Sequence, residues 1–103
     1  MVHQVASKEE FHQYISSPTL VVVDFYAVWC GPCKIISPYL EELSKQFANV
    51  KFIKVDVDDL EDVASEVGIR AMPTFKAFKN GKEVGELVGA DKNKLLALVQ
   101  NHI

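Results

Sequence analysis

Two cysteines, Cys30 and Cys33, stand three residues apart in the segment Trp29-Cys30-Gly31-Pro32-Cys33-Lys34, and the chain has no others. An apolar, β-branched run precedes them and a helical pattern follows, so the pair falls at a strand-to-helix junction. Positions i and i+3 share one helix face, which lets the two sulfurs approach bonding distance. The free N–H groups and the dipole at a helix N-terminus favour negative charge, raising the thiolate fraction of a cysteine placed there. Cys30, at the very end, is expected to feel this most and to be the more exposed. Cys33, one turn in, is expected to be the more shielded. Pro32 suits the first helical position, where a missing N–H costs nothing, and Gly31 leaves the approach to sulfur open. Such a pair suits reversible dithiol–disulfide exchange, with Cys30 attacking and Cys33 resolving the mixed disulfide.

Other uses of the pair meet obstacles. Zinc would need a full ligand set, yet there is no second Cys-x-x-Cys, and His3, His12 and His102 lack a matching spacing. No metal is expected. Covalent haem would need histidine after the second cysteine, and position 34 is lysine. A purely structural cross-link over so short a loop removes little unfolded-state entropy.

Asp24 interrupts the apolar run Leu20–Tyr26, where an ionised carboxylate is costly unless paired or neutralised. One reading is a strand-end aspartate that reaches water or Lys54. The other is a desolvated acid with a raised pKa that exchanges a proton with Cys33 during resolution, tempered by Lys54 on the neighbouring strand pattern. Trp29, the only tryptophan, is either core filler or a cap that offers apolar surface to protein substrates. Pro73 precedes a strand pattern and reads as an edge device or strand opener. The residues alone do not set the Met72–Pro73 bond as cis or trans.

The surrounding pattern supplies a scaffold. A short strand is expected at Val2–Ala6. Ser7-Lys8-Glu9-Glu10 has the form of a capping box and opens a helix to about Ser16, with Phe11, Tyr14 and Ile15 inward. Leu20–Tyr26 is apolar on both parities, as in a central strand covered on both faces. From the cysteines to about Phe47, Ile36, Tyr39, Leu40, Leu43 and Phe47 fall at helical spacing, with a kink expected at Pro38. Lys51–Val57 reads as a strand and Asp58–Val67 as a short helix stopped at Gly68. Thr74–Lys79 and Glu83–Val88 form a hairpin about Asn80-Gly81. Asp91 caps a last helix with Leu95, Leu96, Leu98 and Val99 on its buried side. The order β-α-β-α-β-α-β-β-α predicts a three-layer α/β sandwich: a mixed sheet of four or five strands, parallel except for a C-terminal antiparallel hairpin.

Composition narrows the function classes. A chain of 103 residues with 49% hydrophobic and 24% charged side chains has the size and balance of one globular domain spanning 1–103. Eleven basic against fourteen acidic residues give a net charge of -3 and no basic stripe, so neither nucleic acid nor anionic membrane is an expected partner. Residues 1–19 contain no apolar leader core, and no apolar run approaches a membrane span. The expected compartment is the cytoplasm, with the nucleus as the alternative.

Taken together, Val23–Ala27 (V-D-F-Y-A), Trp29–Lys34 (W-C-G-P-C-K), Lys54–Asp58 (K-V-D-V-D), Ala71–Thr74 (A-M-P-T), Phe78–Lys82 (F-K-N-G-K) and Val88–Ala90 (V-G-A) resemble the thioredoxin family. They occur in that family's order and cover essentially the whole chain. The likeness is strongest to small cytosolic eukaryotic members, fungal ones in particular. It implies the thioredoxin fold and a general protein-disulfide reductase with no bound cofactor. Cys30 would be the nucleophile, Cys33 the resolving thiol, Asp24 the buried acid/base and Lys54 its neighbour. Pro73 would be a cis-proline facing the disulfide, and the Met72 backbone would pair with an extended substrate. Trp29, Gly31, Pro32, Ala71, Val88, Gly89 and Ala90 would form the apolar docking surface. An NADPH-dependent thioredoxin reductase would reduce the pair. Peroxiredoxins, methionine sulfoxide reductases and ribonucleotide reductase would receive its electrons. Two positions depart from the pattern. Val28 is more apolar than the residue common there, which bears on partner preference at the rim. Met72 stands where some animal members carry a regulatory cysteine, so a monomer is expected, without a disulfide-linked dimer. The alternatives are an oxidase or isomerase of the disulfide-isomerase type, a binding subunit whose cysteines idle, and a zinc module.

Overall fold

A computed structural model describes residues 1–103. The elements follow in the order β1 (His3–Gln4), α1 (Lys8–Ile15), β2 (Val21–Tyr26), α2 (Gly31–Gln46), β3 (Lys51–Asp56), α3 (Glu61–Val67), β4 (Thr74–Lys79), β5 (Lys82–Val88) and α4 (Lys92–Gln100). Helices α1, α2 and α4 begin where a side chain takes up a free N–H group. Ser7 accepts the Glu10 N–H at 3.2 Å, and the Glu10 carboxylate reaches back to the Ala6 N–H at 2.7 Å. Asp91 caps α4 by accepting the Lys94 N–H at 3.0 Å. Gly68 ends α3 in the left-handed region at φ 74°, where glycine meets no Cβ penalty. Asn80 and Gly81, with φ of 53° and 80°, turn the β4–β5 hairpin.

Two expected elements are three residues shorter than their patterns. The first strand is His3–Gln4 rather than Val2–Ala6, since the Val2 N–H turns away to the Glu41 carboxylate, 3.2 Å distant. The third helix starts at Glu61 rather than Asp58, because the Asp56 carboxylate takes the N–H groups of Asp58 and Asp59 into a tight turn. Helix α2 continues through Pro38 to Gln46.

The sheet has five strands in the order β1-β3-β2-β4-β5. Strands β1, β3 and β2 are parallel, while β4 pairs antiparallel with both β2 and β5. This is the open mixed sheet of the thioredoxin fold. Two apolar layers flank it. Val22, Phe52, Phe75 and Ala77 meet α2 and α4 through Ile36, Leu40, Leu43, Leu95 and Val99. Val21, Val23, Phe25, Ile53 and Val55 meet α1 and α3 through Phe11, Ile15 and Val63. Phe11 sits edge-on to Phe25 and Phe78, with ring centroids 6.1 and 5.9 Å away. Strand β2 is therefore clamped on both faces. Its C-terminal end delivers the chain, through Ala27–Trp29, to the start of α2. No helix is long and apolar enough to cross a membrane.

Candidate active site

Cys30 is the N-cap of α2, and its sulfur accepts the Cys33 N–H at 3.2 Å. Gly31 and Pro32 form the first helical turn, so Pro32 lies one residue beyond the position expected of it, still among the N–H groups that need no helical partner. The two cysteines are joined as a disulfide, with Cα atoms 5.3 Å apart. The helix start thus does for sulfur what Ser7 and Asp91 do with oxygen: it directs a free backbone donor at an atom that must carry negative charge in the thiolate form.

The expected difference in exposure does not appear. Cys30 is 5% and Cys33 4% exposed. Cys30 is covered because the segment before β4 lies against it, the Met72 carbonyl oxygen standing 3.6 Å from its sulfur. What separates the cysteines is their neighbours. Cys30 faces Met72, whereas Cys33 lines a cavity of about 200 Å³ with Asp24, Tyr26, Ala27, Val28, Lys34, Ser37 and Lys54.

The Met72–Pro73 peptide bond is cis and Pro73 is buried. Two bonds hold this turn. The Thr74 hydroxyl donates to the Ala71 carbonyl at 2.6 Å, and the Gly89 N–H donates to the Pro73 carbonyl at 2.9 Å. Gly89 has φ 109°, a backbone region that disfavours side chains. The loops carrying Cys30, Met72–Pro73 and Val88–Ala90 therefore converge. Trp29 is 66% exposed and is no core filler. Its indole N–H donates to Asp58 at 2.9 Å, which fixes the ring beside the disulfide. Val28 and Val88 are also exposed apolar side chains, and Gly31, Pro32, Ala71 and Ala90 are open to solvent.

Asp24 is 3% exposed, and its Oδ1 has no hydrogen-bond partner. Lys54 is its register partner on β3, yet no ion pair joins them. The reading of a strand-end aspartate paired with Lys54 is thereby set aside. Burial pushes the Asp24 carboxyl up to about 7, against a smaller downward pull from the Lys54 charge. At neutral pH it is thus able both to hold and to accept a proton.

Sequence reasoning missed Asp58 as the anchor of Trp29, Thr74 as the brace of the proline turn, and Ser37 and Lys34 in the cavity wall. Thr74 carried a signal, since a hydroxyl next to a turn proline commonly bonds a nearby carbonyl. No group of acidic, histidine or cysteine side chains in the structure is arranged to hold a metal ion.

Comparison with known proteins places this geometry. The thioredoxin family model matches residues 2–101. Thioredoxin of Sus scrofa is 51% identical over the full length of both chains. Thioredoxin-1 of Schizosaccharomyces pombe is 47% identical, again over both full lengths. The solved thioredoxin of Plasmodium falciparum superposes with a TM-score of 0.95 at 47% identity, covering 99% of this chain and 100% of the other.

Proposed function

The chain belongs to the thioredoxin family and is a thiol–disulfide reductase; on that premise we propose how its residues divide the reaction. The observation that carries the proposal is the cavity shared by Cys33 and the unpartnered Asp24 carboxyl, one helical turn below Cys30. In the reduced protein the Cys30 thiolate attacks one sulfur of a substrate disulfide. The substrate S–S bond breaks, one substrate thiolate leaves, and a mixed disulfide with Cys30 remains. Asp24 then takes the proton from the Cys33 thiol. The Cys33 thiolate attacks Cys30 sulfur and expels the second substrate thiolate, leaving the Cys30–Cys33 disulfide. Two electrons have passed to the substrate. Lys54 tempers the rise that burial gives the Asp24 pKa. Gly31 and Pro32 shape the helix start, and Pro73 holds the Met72 backbone where an extended substrate segment can pair with it.

Its partners are disulfide-containing proteins and a reductase. Trp29, Gly31, Pro32, Ala71, Met72, Val88, Gly89 and Ala90 form the surface on which substrate proteins dock, a small apolar area suited to brief, unselective contacts. We assign peroxiredoxins, methionine sulfoxide reductases and ribonucleotide reductase to the substrates, and thioredoxin reductase to the return of electrons from NADPH. The cysteine pair itself carries the electrons, in place of a bound cofactor. A donor of this kind belongs in a reducing compartment, which favours the cytoplasm.

The test is the reduction potential of the Cys30–Cys33 couple in a defined redox buffer. A value near about -270 mV, typical of thioredoxins, marks an electron donor to protein disulfides. A value near about -180 mV, typical of disulfide isomerases, would replace this reading with the oxidase or isomerase one.

A further inference from the structure

Strands β1, β3 and β2 set Gln4, Lys54 and Asp24 in one row, Gln4 being the register partner of Lys54 and Lys54 that of Asp24. Tyr26 stands two residues along β2 from Asp24 and therefore on the same face of the sheet. Its side chain crosses over β3. The hydroxyl donates to Gln4 Oε1 at 2.8 Å, and Lys54 Nζ lies 5.8 Å from the centre of its ring. Asp24, Tyr26, Lys54 and Cys33 line one cavity. We infer that Tyr26 is a positioning residue for the exchange reaction: anchored to Gln4 on β1, its ring holds the Lys54 ammonium in place beside the Asp24 carboxyl.

The inference rests on the proton exchange between Asp24 and Cys33 proposed above. A lysine head is a compact, strongly hydrated charge on a flexible stem, and without a hold it moves toward bulk water. The electron-rich ring face supplies that hold, and the Gln4 bond fixes the ring. Burial raises the Tyr26 hydroxyl above its ordinary range, which keeps it a donor. The groups facing Asp24 are few. Strand β3 presents Lys54, helix α2 presents Cys33 and Lys34, β2 presents Tyr26, and β4 sets Phe75 in register with it. Lys34 is exposed and Lys54 half-buried, so the Lys54 charge is the less screened of the two.

The experiment follows Asp24 by carboxyl-carbon NMR against pH in the oxidised protein, where neither cysteine titrates. Tyr26→Leu removes the ring and is expected to raise the Asp24 midpoint by about 0.5 unit, the sign of a receding positive charge. Tyr26→Phe keeps the ring but frees it from Gln4, and should give a midpoint between those of the wild type and Tyr26→Leu. In a Lys54→Met background, Tyr26→Leu should move nothing further. An unchanged midpoint in Tyr26→Leu, a lowered one as water enters, or a shift that persists without Lys54 would overturn the inference. The pH profile of disulfide exchange is read separately. A carboxyl midpoint that moves while the rate profile stays would leave Tyr26 as the hold on Lys54 and overturn the proton exchange, and with it the part of Tyr26 in the reaction.

Discussion

Two charged side chains are buried on adjacent strands, and only one of them has partners. Lys76 on β4 is 4% exposed and Asp24 on β2 is 3% exposed. The Lys76 ammonium bonds Glu83 at 2.8 Å and Glu86 at 2.6 Å, both on β5. Burial pulls its pKa down, but the two carboxylates outweigh that and hold it above the ordinary lysine range. Backbone design assists. Glu86 is the register partner of Lys76, and the bulge opposite Ala77/Phe78 places Glu83 across from Phe78, on the same face as Lys76. Asp24 receives no such provision, although Lys54 stands beside it in register. The hairpin arm neutralises its buried charge for good, whereas the site keeps one able to change state. A paired charge holds its protonation across the physiological range; a lone carboxyl near 7 can exchange a proton with its neighbour.

The largest expected effect comes from removing the lone charge. The folded Asp24 carboxyl titrates near 7 against 3.8 as its ordinary value. Between those values the folded state binds the extra proton, so the wild type loses stability as pH rises from about 4 to about 7 and nothing more above that. Asp24→Asn lacks this slope. Relative to wild type, its stability should climb by up to about 4 kcal/mol between pH 4 and pH 8, as read by urea unfolding at both pH values. The same variant should slow disulfide reduction at neutral pH by on the order of 10–100-fold.

Removing the partners of the paired charge should do the reverse. Glu83→Gln with Glu86→Gln strands a buried ammonium and should cost about 2–3 kcal/mol, the carboxylates being partly exposed. Exchange activity should stay within about twofold, since the hairpin pairing stands apart from the Asp24 cavity. A large loss of activity in a folded double variant would break the division between the two regions. Lys54→Met is a finer probe. It withdraws the one charge that lowers Asp24, so the carboxyl midpoint should move upward with little change in unfolding at pH 4. The smallest effect is expected on the surface. Glu66 pairs with Lys8 and His12 in solvent, and Glu66→Gln should cost less than about 0.5 kcal/mol in the same unfolding assay.

Much of this contrast was half-legible in the sequence. Asp24 stood out because it breaks a run that is apolar on both parities, an anomaly visible without coordinates. Cys30 and Cys33 announced themselves by spacing at a strand-to-helix junction. The near-equal burial of the cysteines was not legible, since it depends on Met72, 42 residues away along the chain. Lys76 carries no mark of burial in the sequence of Thr74–Lys79. Its burial and its second partner depend on a bulge, and one inserted residue in β5 leaves no mark in the pattern of apolar positions. The short first strand and the late start of α3 failed for a related reason. In each place a carboxylate, Glu41 or Asp56, took backbone donors that the pattern had assigned to regular structure. Element order, sheet type and the hairpin turn were readable because they rest on periodicity and on Asn80-Gly81, which are local.

The most direct test of the account is the pH profile of protein-disulfide reduction, measured side by side for the wild type and Asp24→Asn. The wild-type rate should change with a midpoint near 7, the value to which burial pushes Asp24, and the variant should lack that midpoint. Identical profiles for the two proteins would contradict it, and would leave Asp24 a buried cost to stability with no part in the chemistry.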